Sequence, residues 1–399
     1  MSFKHNLQQI KSVIQRELTI LSSNSSLLLL LFTAPIAYSF LYTSIFTNKM
    51  ERDVPVAVID NDRSFKSREI IRHLDAHELI RIEGDYTNEN LAYRQLQTFK
   101  CMAILVIPKG FESAIKSGLQ ARVSLSINNT RFMISNDIIK GVNDVITDIA
   151  KKTTVDYFKL KGMSGEDAQL SSMPLQLNSK SLFNTTESYG DFIIVGLLAL
   201  ILQQTLLIVI SVVMAHEREM NTFQTLLHKT SGSVFKLFLG KSLVYFIVYC
   251  CYAFLFVTFH FQLYKLPFLG SFGALTILTV FQFVAIILIG MLAGTFFPSK
   301  LITLVVLVFS SYPIFLLSGY SWPIQAFPFP LKIIAMLLPQ TSFFHAFTII
   351  TQEGGTIQDI LPQIFHILFC IAFLYGGFMV RVRFLKRQSN FRKLPFMVD

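Results

Sequence analysis

Four places in the chain carry side chains of the kinds that do chemistry, and each can be held against the spacing its chemistry requires. Gly240-Lys241-Ser242 has the ending of a phosphate-binding loop, in which backbone N–H groups and a lysine cradle a polyphosphate. That loop also needs a glycine at position 235, where Phe235 stands, and a strand before it, which is missing. His216-Glu217 begins like a zinc-protease helix but lacks the second histidine. Gly319-Tyr320-Ser321 begins like a nucleophile elbow, yet Pro323 stands where the elbow needs glycine. Cys101, Cys250, Cys251 and Cys370 show neither metal-ligand spacing nor a disulfide framework, and the last three fall inside apolar runs. The reading is of a chain without catalytic, cofactor-binding or metal-binding residues, and so not an enzyme.

What remains is a charge cluster in an unusual place. His216-Glu217-Arg218-Glu219 lies between two uncharged apolar cores, 192–214 and 243–259. Such a cluster cannot lie in lipid, so it is expected in water or on a protein partner. Behind it, Met220, Phe223 and Leu227 fall on one helical stripe. The expectation is a short helix lying across the membrane face, which receives mechanical work from a separate protein and passes it to the spans. Glu217, Arg218, Glu219, Met220, Thr222, Phe223 and Leu227 are the candidate residues.

Within the apolar runs, polar groups are few. Carriers driven by protons or sodium place acids or bases inside their spans to bind the coupling ion. The second to fifth apolar runs hold none away from their ends, which argues against ion coupling. Gln203, Gln204 and Gln282 are either helix–helix hydrogen bonds or polar contacts on a translocation path. Gly290 and Gly294 form a small-xxx-small pair, read as packing within the subunit.

The elements that position these residues follow from composition and periodicity. Of 399 residues, 52% are hydrophobic, 15% are charged and 39 are Phe. Soluble domains carry about 25% charged residues, so the chain is read as an integral membrane protein. Residues 1–22 place Leu7, Ile10, Ile14, Leu18 and Leu21 on one stripe. They read as an amphipathic helix, lying in the cytoplasmic interface or solvated. Residues 25–46 are a first span, within a 23–46 membrane segment. Five more spans are expected at about 190–214, 237–260, 272–297, 301–320 and 361–381, within 190–383. Lys241 falls in the first turns of the third span, close enough to the interface to snorkel. The 321–350 segment contains Pro323, Pro328, Pro330 and Pro339. Two half-helices entering from the outer face would fit it, and so would one interfacial helix.

Between the first and second spans, residues 47–189 read as a soluble α/β domain. Strands are expected at 54–59, 79–82, 102–107 and 123–127. Helices are expected at 64–74 with Ser64 as N-cap, 88–98 with Leu91 and Leu96 inward, 111–117, and 134–159. Ile138, Val142, Val145 and Ile149 share one face of the last helix. Residues 160–189 read as a return linker. The fold class is thus an α-helical integral membrane protein of six transmembrane helices with an inserted extracytoplasmic α/β domain.

Lysine and arginine collect on the cytoplasmic side of membrane proteins. Lys4, Lys11 and Arg16 precede the first span, and Arg218, Lys229, Lys236 and Lys241 lie in or just after the 215–233 turn. Lys300 lies in the next even turn, and Arg381, Arg383, Lys386, Arg387, Arg392 and Lys393 gather at the end, most of them in the 384–399 tail. Both termini are therefore expected in the cytoplasm and 47–189 outside. The net charge of +10 is explained this way and implies no nucleic acid.

The local words fit one family. Val54-Pro55-Val56-Ala57-Val58-Ile59-Asp60 with Ser67-Arg68 resembles the start of the outer domain in permease subunits of type-2 ATP-binding-cassette exporters. Ile107-Pro108-Lys109-Gly110-Phe111 resembles that family's IPxxF turn. Glu217-Arg218-Glu219-Met220-Asn221-Thr222 with Leu226-Leu227 resembles its RExGTxxxL coupling segment, with Asn221 where glycine is usual, and Gly240-Lys241 is its usual sequel. Leu317-Ser318-Gly319, Pro323 and Leu338-Pro339 resemble its outer re-entrant region. The resemblance covers nearly the whole chain. It implies an exporter permease in the plasma (bacterial inner) membrane, pairing with a second copy or a sister permease. A separate ATPase, carrying the ATP and Mg, would dock beneath each permease at the 215–233 turn and the N-terminal helix. So large an outer domain resembles permeases that work with a periplasmic adaptor and an outer-membrane channel. Apolar spans favour lipophilic or amphiphilic cargo. The competing reading is a membrane-anchored receptor or envelope scaffold whose outer domain binds a partner without transport.

Overall fold

The computed structural model describes residues 3–47, 51–172, 182–184 and 188–391. The calls on Arg392 and Lys393 and on much of the return linker fall outside them. The chain divides into two compact units, Met50–Lys180 on the one hand and Met1–Lys49 with Ser181–Asp399 on the other.

The second of these is helical. Among the described residues, six helices are long and apolar enough to cross a membrane: Ser25–Ile45, Tyr189–Glu219, Val234–Leu263, Phe272–Phe296, Lys300–Leu317 and Leu361–Arg387. The protein is an α-helical integral membrane protein of six spans with a small inserted α/β unit. The second span is the most buried and packs against the first, third, fourth and fifth. Glycine makes the closest of these contacts. A Cβ at Gly294 would lie 2.4 Å from the Ser211 carbonyl oxygen and 2.7 Å from the Met214 Cβ, and one at Gly290 would lie 2.9 Å from Ile210. The small pair therefore serves packing within the subunit, as its spacing suggests.

The three candidate glutamines are all buried. Gln282 Nε2 donates to Gln203 Oε1 at 2.7 Å, joining the fourth span to the second. Gln204 Nε2 donates to the Leu307 carbonyl on the fifth at 2.8 Å. Both are hydrogen bonds between spans, of the kind that holds membrane helices together.

Two expected elements resolve further. The first span contains a π-helical turn, Leu29–Thr33, directly before buried Pro35. Proline lacks the N–H of a regular turn, and a wider turn beside it absorbs the mismatch. The 321–350 segment holds two helices, Phe329–Leu337 and Pro339–Thr351, bent by 78°. The break falls at Leu338, whose extended backbone is what a residue before proline prefers. The segment thus holds two helices and not one.

The other unit is a four-stranded sheet, β1 (Val54–Asp60), β2 (Ile80–Asp85), β3 (Ala103–Ile107) and β4 (Ser124–Ile127), in the order β2-β1-β3-β4. The first three run parallel and β4 pairs antiparallel with β3. Alternate residues of β1 feed two cores. Val56 and Val58 meet Ile70, Leu74 and the Ile138, Val142, Val145 and Ile149 face of the long helix Phe132–Leu160. Ala57 and Ile59 meet Ala92 and Ile104. Ser64 caps the helix Phe65–Asp75, accepting from the Ser67 N–H at 3.1 Å. Leu91, expected inward, is 51% exposed; Ala92 takes that place because the small residue lets the helix Glu89–Gln97 sit close to β3. Part of the expected linker is a helix, Gly165–Ser172.

Asp60 and Asp62 join the two sequence words of this unit. Asp60 Oδ2 accepts from the Ser67 hydroxyl at 2.6 Å, and its Oδ1 takes the N–H groups of Asp62 and Arg63. Asp62 takes the N–H groups of Gly110, Phe111 and Glu112 at 2.7, 3.1 and 3.0 Å, holding the IPKGF turn at the end of β1.

Candidate functional site: the charged end of the second span

The helix of the second span does not stop where its apolar run stops. It continues through His216-Glu217-Arg218-Glu219, so these charges form its last turn. Met220, Asn221 and Thr222 make the bend, and a second short helix follows, Phe223–Lys229. Asn221 has φ +54°, in the left-handed region. Asparagine is among the few residues with a side chain that adopt it readily, which is why it can stand where the resembling family uses glycine.

Glu217 is the correction of most consequence. It does not face water or a partner: it is fully buried inside this chain. Arg16 Nη2 meets its Oε2 at 2.8 Å, Lys241 Nζ meets its Oε1 at 3.2 Å, and the Thr222 hydroxyl donates to Oε2. Lys241 does not snorkel. Its side chain is 1% exposed and its Nζ also meets Glu17 Oε1 at 2.6 Å. Tyr245 Oη donates to the other Glu17 oxygen at 3.2 Å. Two carboxylates and two cations thus cancel, and of the four only Arg16 reaches the surface, its side chain 17% exposed. Burial of charge is tolerated only when paired and hydrogen-bonded in this way.

The quartet joins three stretches far apart in sequence: the N-terminal helix Phe3–Ser23, the end of the second span and the start of the third. Gly240 permits the approach, since a Cβ there would lie 2.7 Å from the Val13 Cβ. Gly240-Lys241 is therefore a docking point for the N-terminal helix. That helix neither lies free nor is solvated all round. It turns Val13, Glu17 and Leu21 inward, leaving Leu7 and Leu18 half exposed, because its one inward acid must meet Lys241. Gln9 extends the contact, accepting from Lys236 Nζ and donating to the Ser231 hydroxyl, both at 2.7 Å.

Arg218 and Glu219 face another way. Arg218 Nη1 donates to the carbonyls of Thr295 and Phe297, the latter at 3.1 Å. Glu219 Oε2 accepts from the Lys300 N–H at 3.0 Å. On the short helix, Phe223, Leu226 and Leu227 are buried, whereas Met220, expected on the same stripe, is 59% exposed. The left-handed bend at Asn221 breaks the helical register between Met220 and Phe223 and turns Met220 outward. Thr225, His228 and Lys229 share the exposed side.

Arg16, Glu17 and Tyr245 escape a reading by sequence. The one available signal is a single acid, Glu17, spaced four residues from both Val13 and Leu21 on an apolar stripe, with a single lysine inside a distant span. Nothing in the arrangement has the geometry of a catalyst. It is a charge-locked joint between three elements with one open face.

Residues 25–381 match the ABC-2 family transporter protein family. A stretch of 112 residues, 28% of this chain, is 25% identical to the linearmycin resistance permease protein LnrN of Bacillus subtilis (strain 168); the match spans 29% of that protein's length. The chain belongs to the ABC-2 transporter family, as one of its membrane-embedded permeases.

Proposed function

We propose that the 215–233 turn is where the partner ATPase engages this permease, and that ATP-driven closure of the ATPase pushes the turn and with it the spans. The observation that carries this reading is the burial of Glu217 among Arg16, Lys241 and Thr222. It makes the turn and the N-terminal helix one stiff body, held from inside by Glu217, Thr222, Phe223 and Leu227. Met220, Thr225, His228 and Lys229 are left open to a partner. A lever needs both a rigid attachment and a free face, and this one has them.

In this reading both termini and the turn are cytoplasmic, residues 47–189 are extracytoplasmic, and the membrane is the bacterial inner membrane. The lysine and arginine distribution supports it. ATP and magnesium belong to the ATPase. Two permeases, identical or sisters, complete the transporter. The cargo is lipophilic or amphiphilic, in keeping with the apolar spans. A periplasmic adaptor and an outer-membrane channel extend the route where the envelope has them. The test is capture of the ATPase by the tagged, detergent-purified permease. M220D and K229E together should lower capture at least about tenfold, roughly 1.4 kcal/mol, with the permease still monodisperse. Capture equal to wild type would overturn the docking assignment.

A further inference from the structure

We propose that Arg218 and Glu219 are positioning residues that grip the turn between the fourth and fifth spans and carry the motion of the coupling turn to the fifth. This rests on the docking reading above and adds the route by which a push leaves the turn.

A helix ends with carbonyls, and begins with N–H groups, that have no partner within it. The fourth span ends at Phe296 and the fifth begins at Lys300, so both sets of orphan groups crowd into 295–300. Arg218 fills the first set by donating to the Thr295 and Phe297 carbonyls. Arg381, from the last span, donates to the same Thr295 carbonyl at 2.8 Å and lies over the Phe296 ring, 4.5 Å from its centroid. Glu219 serves the second set through the Lys300 N–H. A cation at a helix C-terminus and an anion at a helix N-terminus also match the two helix dipoles. Adjacent residues of one helix end thus hold both sides of the hairpin, beside the Gly294–Ser211 contact that already binds the fourth span to the second.

What the grip can move is decided by packing. The fourth span is well buried against the second. The fifth is the least buried of the six, with Leu301, Val305, Phe309 and Tyr312 exposed along it. An element with few buried contacts is the one that yields to a small force. A push on the 215–233 turn is therefore delivered by Arg218 and Glu219 to the base of the fifth span. They hold that base and do not form the ATPase contact.

The test uses the permease–ATPase complex in lipid nanodiscs, in a background with Cys101, Cys250, Cys251 and Cys370 replaced. Spin labels at L301C and F235C, both exposed, report the distance from the base of the fifth span to the base of the third. The wild-type turn should give a shifted distance distribution when the ATPase is trapped with ATP and vanadate. R218Q should lose that shift while capturing the ATPase within about twofold of wild type, and R218K should restore part of it. An undiminished shift in R218Q, or no shift in the wild type, overturns the grip. Loss of capture in R218Q would make Arg218 a docking residue and also overturn it. The docking reading itself stands or falls separately, on capture by the M220D and K229E permease.

Discussion

Lys241 is the residue on which the local structure depends. Among the described residues it alone touches both buried carboxylates, Glu17 and Glu217. K241M leaves Glu17 with the Tyr245 hydroxyl and no cation, and Glu217 with Arg16 and the Thr222 hydroxyl. Breaking a buried pair on one side costs about 3–5 kcal/mol, so K241M should be poorly folded, measured as a lowered melting point in detergent. K241M with E17Q leaves Glu217 paired with Arg16 and should recover much of the loss. An unchanged melting point for K241M would show that the charges are not energetically coupled. At this scale the sequence was half legible. Its charge cluster could be found, because charges between apolar runs stand out. The direction each charge faces could not, because Glu217 and Arg218 are neighbours in sequence but point to different partners set by tertiary contacts.

The elements were more legible than their faces. Hydrophobic runs locate spans because a bilayer demands about 20 apolar residues, and all six expected spans have matching helices. Their ends were missed where a helix runs on past its apolar run into charged residues, as at His216–Glu219. The burial of Ala92 in place of Leu91, and the outward turn of Met220, show the same limit: periodicity gives a face, and packing chooses which residue fills it. In the α/β unit, Asp62 yields a pH prediction. The Ser64 hydroxyl and the N–H groups of Glu112, Gly110 and Phe111 hold its carboxyl below the ordinary carboxylate range. A group lowered in the folded state stabilises the fold above its unfolded value near about 3.9. That contribution is lost as pH falls through the folded value. D62A removes an anchor of the kind a helix cap provides, costing about 1 kcal/mol near neutral pH. Amide exchange at the ends of β1 and β3 in the full chain should speed up, and the difference from wild type should shrink below about pH 4. An equal effect at all pH values would mean that the charge contributes nothing.

At the scale of the molecule, the stiff joint with one open face is the feature on which the proposed drive by a separate ATPase rests. The orientation proposed from charge placement is open to a direct check. A membrane-impermeant maleimide should label M163C in intact cells and reach H228C only after the membrane is opened; the reverse pattern would invert the topology. The central claim is that the turn is locked inside and engaged outside, and photo-crosslinking from position 220 in the assembled transporter tests it most directly. A photoreactive residue in place of Met220 should cross-link to the ATPase subunit, while one in place of the buried Leu226 should cross-link only within the permease. Cross-links from position 220 to lipid alone, with the ATPase present, would contradict the account.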